Sequence, residues 1–335
     1  MSELNVYYYL TRPAAVLRAT GPDAFAFLQS QFSNDLEVPG VEQPVTYGLW
    51  LDHKGKIQAD SFVIQKAKED FLLMSYDCPA AILKGHLEAH LIADEVELRD
   101  ETAAFGLLHT WPEIVQAVFP KFRRGTSLTE QAKVPDAPKA TFADFQAHME
   151  SLADPATCDF WMGRRPQGQL AWDYLAAPAE LAKLIHELTE SGAEAAGTDH
   201  LHTARILAGI PSVPQDAGPG DLPQEAGLAR DGVSFDKGCF LGQEVMSRLH
   251  TQGHVNRGLW HVGWDVKTTR PADESPVPLY IGADTVGELR SRVITEEGGV
   301  GLAMLKKRAV LGNPMLSLTP NGPKVVRLMR DLTEG

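Results

Sequence analysis

The chain has 335 residues, 44% of them hydrophobic, and a formal net charge of -13. That length can bury large cores and sets an expectation of two or three domains, whereas the acidic balance disfavours direct binding to a nucleic-acid backbone. The three cysteines, Cys78, Cys158 and Cys239, are far apart and odd in number. This argues for a reducing compartment, against a disulfide framework, and against a preformed zinc or iron–sulfur site, since no CxxC pair is present. The opening residues Met1 to Tyr9 lack a basic n-region with an apolar core, and no apolar run is long enough to span a membrane. The expected address is the cytosol.

In chain order, Ala14 to Thr20 reads as a strand closed by Gly21-Pro22, and Asp23 as the N-cap of a helix bearing Phe25, Phe27, Leu28 and Phe32. Thr46 to Leu51 and Ile57 to Ile64 read as strands joined by a hairpin turn at Asp52-His53-Lys54-Gly55. Phe71 to Ser75 is a further strand. Ala80 to Ala93 has helical spacing with Ile82, Leu83, Leu87 and Leu91 inward, and Val96 to Leu98 and Ala104 to Leu108 read as strands. Periodicity fades from Phe119 to Asp154. Cys158 to Trp161 and Gln169 to Tyr174 look like paired strands around Gly163-Arg164-Arg165-Pro166, a solvated turn or an anion site. Helices are expected over Pro178 to Glu190, with Gly192 after its end, and over Asp199 to Ala208, capped by Thr198. Gln215 to Pro223 is Gly/Pro-rich and must be irregular. The remainder, from Leu259 to Arg330, is a series of short strands cut by Gly and Pro, a small barrel or sandwich pattern. The order of elements implies an α+β fold with helices on mostly antiparallel sheets.

One stretch concentrates the chemistry: Ser234-Phe235-Asp236-Lys237-Gly238-Cys239-Phe240-Leu241-Gly242-Gln243-Glu244. A cation beside Cys239 favours thiolate, and Gln243-Glu244 open an amphipathic run (Val245, Met246, Leu249) whose helical N-terminus adds to the pull on an anion. The same residues also suit a tight turn around a buried structural cysteine. A Cys239–His250 or Cys239–His254 dyad, or a metal held by all three, matches no standard motif. No G-x-S-x-G elbow or P-loop occurs.

The run from Lys237 to Glu244, followed by Arg248, Gly253 and Arg257, resembles the signature of the YgfZ family, folate-binding proteins related to the T-protein of the glycine cleavage system. The stretches Gly21 to Asp35, Ala204 to Pro211, Leu222 to Leu228, Val286 to Ser291 and Gly301 to Leu305 resemble the same group. The resemblance implies a T-protein-like multidomain α+β cloverleaf, with a folate-binding region over 1–255 and a small C-terminal β-barrel over 256–335. It implies tetrahydrofolate, or a one-carbon derivative, as cofactor, and iron–sulfur client or assembly proteins as partners, tRNA-modifying enzymes among the clients. Cys239 is then the reactive residue with Lys237 beside it. Arg205 stands where relatives clamp the folate tail, a carboxylate that bidentate arginine suits. Asp60, Asp173, Arg248, Arg257, Gln243 and Glu244 complete the expected folate set, and no resident metal is expected. Two departures bear on activity. Active T-proteins carry two adjacent acids where this chain has Ala59-Asp60, so aminomethyl transfer is not expected. Leu201 stands where some YgfZ proteins place a tryptophan. The alternatives are a T-protein-like one-carbon transferase and an inert scaffold.

Overall fold

A computed structural model of the chain describes residues 6–37, 44–112, 150–164, 171–266, 271–272, 275–295 and 298–333. Most of the segment from 119 to 154, and Arg165-Pro166 of the expected two-arginine turn, lie outside these residues. The chain divides into two compact units, one of Met1–Arg12 with Ala103–Ile210 and one of Pro13–Thr102 with Pro211–Gly335.

The first unit is a five-stranded sheet in the order Glu194–Ala195, Val6–Thr11, Gly106–Pro112, Ala171–Ala176, Cys158–Gly163. All its pairings are antiparallel except that of Glu194–Ala195 with Val6–Thr11. One face holds Leu108, Phe160, Trp172 and Tyr174, covered by the buried Leu181, Leu184 and Leu188 of the helix Pro178–Glu190. That spacing is the amphipathic stripe visible in the sequence. The helix Thr198–Ala208 ends at Gly209, whose φ of +75° is the left-handed cap that glycine supplies most easily.

In the second unit the first sheet runs Val45–Leu51, Ile57–Ala67, Asp70–Ser75, Ala15–Thr20, Glu97–Asp100, antiparallel throughout. The expected hairpin is present. Asp52 builds its turn, its carboxylate accepting the N–H groups of Lys54 at 2.8 Å and Lys56 at 2.9 Å. Because strand side chains alternate, Ala59 and Val63 enter an apolar core with Phe27, Leu28, Phe32 and Trp50, while Asp60 takes the opposite face. The helix Ala24–Gln31 follows Asp23, but the Asp23 carboxylate accepts the N–H of Glu95 at 2.8 Å and caps nothing in the helix. The second helix, Ala80–Glu88, is shorter than its spacing suggests. Leu83 and Leu87, one turn apart, take the buried face, so Ile82 points away and is exposed, and Leu91 packs against the core from beyond the helix.

The second sheet of this unit runs Val277–Ile281, Asp284–Thr295, Gly298–Lys306, Arg257–Trp264, Arg327–Asp331, again antiparallel. Single bridges, Tyr280 with Ser317 and Leu316 with Val326, link its first strand to the approach of its last and curl the sheet toward closure. It has its own core of Val262, Leu279, Leu289, Ala303, Leu305, Leu316 and Val326. The irregular 211–223 segment is tied to this sheet by ions. Asp221 and Glu225 face Arg257, and Asp221 also meets Arg290. No helix among the described residues is long and apolar enough to cross a membrane.

Candidate functional site

The signature stretch wraps the C-terminal end of the helix Ala24–Gln31. Ser234 N–H donates to the Ser33 carbonyl at 3.0 Å and Leu241 N–H to the Ser30 carbonyl at 3.0 Å. Between them, the Lys237 ammonium turns inward. Its Nζ lies 2.7 Å from the Gln29 carbonyl, 2.8 Å from those of Phe32 and Asn34, and 3.2 Å from Gln29 Oε1. These include carbonyls that a helix end leaves without intrahelical partners. Burial pushes the ammonium down to about 8, partly opposed by Asp35. The Phe240 ring lies beneath the charge, its centroid 5.4 Å from Nζ.

Past the loop, Gly242 holds φ +84° at the start of the helix Gln243–Gln252. A Cβ there would lie 2.7 Å from the Asp52 carbonyl oxygen, and one on Gly55 would lie 2.7 Å from the Met246 methyl. The helix start and the hairpin turn therefore meet at two left-handed glycines, and at Gly242 a side chain would strike backbone. Phe235 stacks on His250 with ring centroids 3.9 Å apart and planes 16° apart. Of the three thiols only Cys239 is exposed. Cys78 is buried, and burial, with Asp60 and Asp77 nearby, pushes its thiol up to about 12. Glu244 and Arg248 are exposed on the same helix, and the side-chain amide of Gln243 donates to the Gly238 carbonyl at 3.4 Å.

Asp60 is buried and accepts from Tyr47 Oη and Ser75 Oγ, each at 3.0 Å. Around it the rings of Tyr47, Phe62 and Tyr76 pack in series, with centroids 5.3 and 5.4 Å apart. Arg257 spends Nε and Nη2 on Glu225, with Nη2 also reaching Asp221 and the Gly220 carbonyl. Binding a folate tail there would cost these pairs.

In the first unit Asp173 is fully buried and meets His109 Nδ1 at 2.6 Å. Gly163 makes room for it, since a Cβ there would sit 2.7 Å from the carboxyl group. Arg205 is also buried, donating from Nη1 to the Ile210 carbonyl at 2.8 Å, with Nη2 3.4 Å from His202 Nδ1. The structure thus groups Lys237, Cys239, Gln243, Glu244 and Arg248 at one loop and helix, and holds Asp60 and Arg257 elsewhere in that unit. Asp173 and Arg205 belong to the other unit. Sequence reasoning missed His109, Tyr47, Ser75 and the Asp221–Arg290 pair. The only trace of His109 is a polar pair, His109-Thr110, within an otherwise apolar strand. Among the described residues no group of three or more His, Cys, Asp or Glu could hold a metal ion, and His250 is occupied by its stack on Phe235.

The fold is that of the glycine-cleavage T-protein. The structure superimposes on aminomethyltransferase T of Bartonella henselae with a TM-score of 0.69 at 16% identity, covering 98% of this chain and 86% of the other. The human mitochondrial iron–sulfur cluster assembly factor IBA57 is 27% identical over 89% of this chain and 76% of its own length. The tRNA-modifying protein YgfZ of Edwardsiella ictaluri is 24% identical over 73% of this chain and 67% of its own. No protein-family model matches the chain. The chain is thus similar to IBA57 and YgfZ over most of its length and shares the fold of the T-protein.

Proposed function

We propose that this protein supports the assembly or repair of iron–sulfur clusters in client enzymes, tRNA-modifying ones among them, working through Cys239 and a bound reduced folate in the cytoplasm. The observation that carries this reading is the contrast among its thiols. Cys239 stands exposed inside the family signature, while Cys78 and Cys158 are buried. The homologues named for cluster assembly and tRNA modification support the same role.

The residues suit a folate chemically. A buried carboxylate walled by Tyr47, Phe62 and Tyr76 matches a flat pterin with N–H donors, and Asp60 provides it. Asp173 is a second such carboxylate. Arg205 is the proposed partner of the glutamate tail, and the exposed Arg248 and Glu244 with the half-buried Gln243 offer polar groups on the helix that follows Cys239. Arg257 is the weaker candidate, since its donors already serve Glu225 and Asp221.

The T-protein fold favours a second reading, folate-dependent one-carbon transfer. Ala59 argues against it. It sits in the apolar core on the face of its strand opposite Asp60, so the paired acid is missing and its place is filled by packing. We also propose that residues 256–335 form a domain of their own, supported by the separate core of their sheet.

Calorimetric titration with tetrahydrofolate tests the folate reading. Binding is expected, and Arg205→Ala should weaken it by roughly ten- to a hundredfold, the worth of a charge-assisted contact. No heat at millimolar ligand would favour an inert scaffold, and robust aminomethyl transfer to a lipoyl carrier would favour the transferase.

A further inference from the structure

We propose that Lys237 is a positioning residue: its ammonium clamps the signature loop onto the end of the helix Ala24–Gln31, so that Cys239 is held out as the exposed tip. The inference builds on the reading of Cys239 as the working thiol and changes what its neighbour does.

An ammonium has three N–H groups. Three backbone carbonyls, those of Gln29, Phe32 and Asn34, lie within 2.7–2.8 Å of Nζ, and Gln29 Oε1 stands at 3.2 Å as a fourth, shared acceptor. Every donor is therefore spent, and none remains to pair with a thiolate two residues along. Asp35 acts on the ammonium only at a distance. Of the three carbonyls, that of Gln29 lies in the last turn of the helix, that of Phe32 at its C-cap and that of Asn34 just beyond, so the ammonium draws together the helix end and the chain that leaves it.

The contacts on either side belong to the same device. The Ser234 N–H and Leu241 N–H bonds to Ser33 and Ser30 hold the two ends of the loop, and Gly242, at φ +84°, lets its exit pass close to the Asp52 carbonyl. Inside these anchors Lys237 and Phe240 are buried, and Gly238 and Cys239 stand between them in solvent. A Cβ on Gly238 would meet nothing within 4 Å, so the tip is open where the thiol emerges. A lysine suits this task better than a neutral donor because one flexible side chain satisfies several carbonyls that converge from different directions.

Hydrogen exchange tests the clamp. Lys237→Met keeps the stem and removes the donors. The amides of Ser234 and Leu241 should then exchange at least about tenfold faster, while those of the sheet strand Asp70–Ser75 stay unchanged. Lys237→Arg, which keeps a cation and N–H donors, should restore part of the protection. Unchanged exchange in Lys237→Met, or an equal rise in loop and sheet, overturns the proposal. If Lys237→Met does not fold, the wild-type protein decides. Its Lys237 ¹⁵Nζ ammonium signal should exchange with water far more slowly than those of surface lysines, and exchange at the surface rate overturns the clamp. The two ideas fail separately. Full iron–sulfur support by Cys239→Ala sinks the functional reading and leaves the exchange result standing, whereas unchanged exchange sinks only the clamp.

Discussion

Asp221 is where the irregular 211–223 segment is fastened to the C-terminal sheet, and neutralising it has a cost that the geometry bounds. Its carboxylate is buried and accepts from Arg290 Nη1 at 2.5 Å, Arg257 Nη2 at 3.1 Å and the Gly218 N–H at 3.1 Å. Asp221→Asn keeps the shape, removes the charge and turns an amide N–H₂ toward guanidinium donors. Stripping one partner from a buried ion pair typically costs about 3–5 kcal/mol. Here each arginine keeps a second carboxylate, Glu288 for Arg290 and Glu225 for Arg257, and the Arg257 side chain is 35% exposed. We therefore expect a smaller cost, about 2–3 kcal/mol. In a chain of this size that lowers the melting temperature by about 3–4 °C. Urea unfolding followed by fluorescence of Trp260 and Trp264, on the strand that begins at Arg257, reads the effect. A double-mutant cycle with Arg290→Gln should return a coupling of about 1–2 kcal/mol. A change below about 0.5 kcal/mol in Asp221→Asn would refute the reasoning, because it would mean that Asp221 adds nothing beyond the carboxylates of Glu288 and Glu225.

Three further outcomes follow from the same geometry. In competitive alkylation of the native protein, Cys239 should label at least about a thousandfold faster than Cys78, because a thiol pushed up to about 12 leaves roughly one thiolate in ten thousand at pH 8 and is also buried; comparable rates, read by mass spectrometry, would contradict it. Lys237 is held down at about 8 from 10.5, so the unfolded chain binds its proton more tightly. Folding is penalised below about pH 8, and stability should rise between about pH 8 and 10.5, by at most about 3 kcal/mol. Lys237→Met should flatten that rise, as checked by denaturant midpoints across the window. Ala59→Asp, which restores the paired acid of active T-proteins on paper, should yield no aminomethyl transfer and should lower stability by several kcal/mol, because the carboxylate enters an apolar core.

Local order was legible where the pattern is local. The hairpin at Asp52–Gly55, the helices at Pro178–Glu190 and Gln243–Gln252, and the strand-rich C-terminal region all carry turn, cap or alternation signals within a few residues. Pairing across the chain was not legible. Val6–Thr11 joins Gly106–Pro112 about a hundred residues away, and nothing in either strand names the other. Ile82 shows a smaller failure of the same kind. Its spacing is compatible with the buried face, and only the position of the sheet decides that Leu83 and Leu87 take it. At the site, Cys239 stood out by its glycines and its signature, but the task of Lys237 was hidden. Adjacency in sequence pointed to the thiol, whereas its acceptors lie some two hundred residues earlier.

The central claim is that Cys239 is the working residue of an iron–sulfur support factor. Its most direct measurement is the activity of iron–sulfur enzymes in cells whose only copy of this protein carries Cys239→Ala, at matched protein levels. The account predicts that these activities fall to those of cells lacking the protein, while Cys78→Ala and Cys158→Ala retain them. Wild-type activity with Cys239→Ala would contradict it.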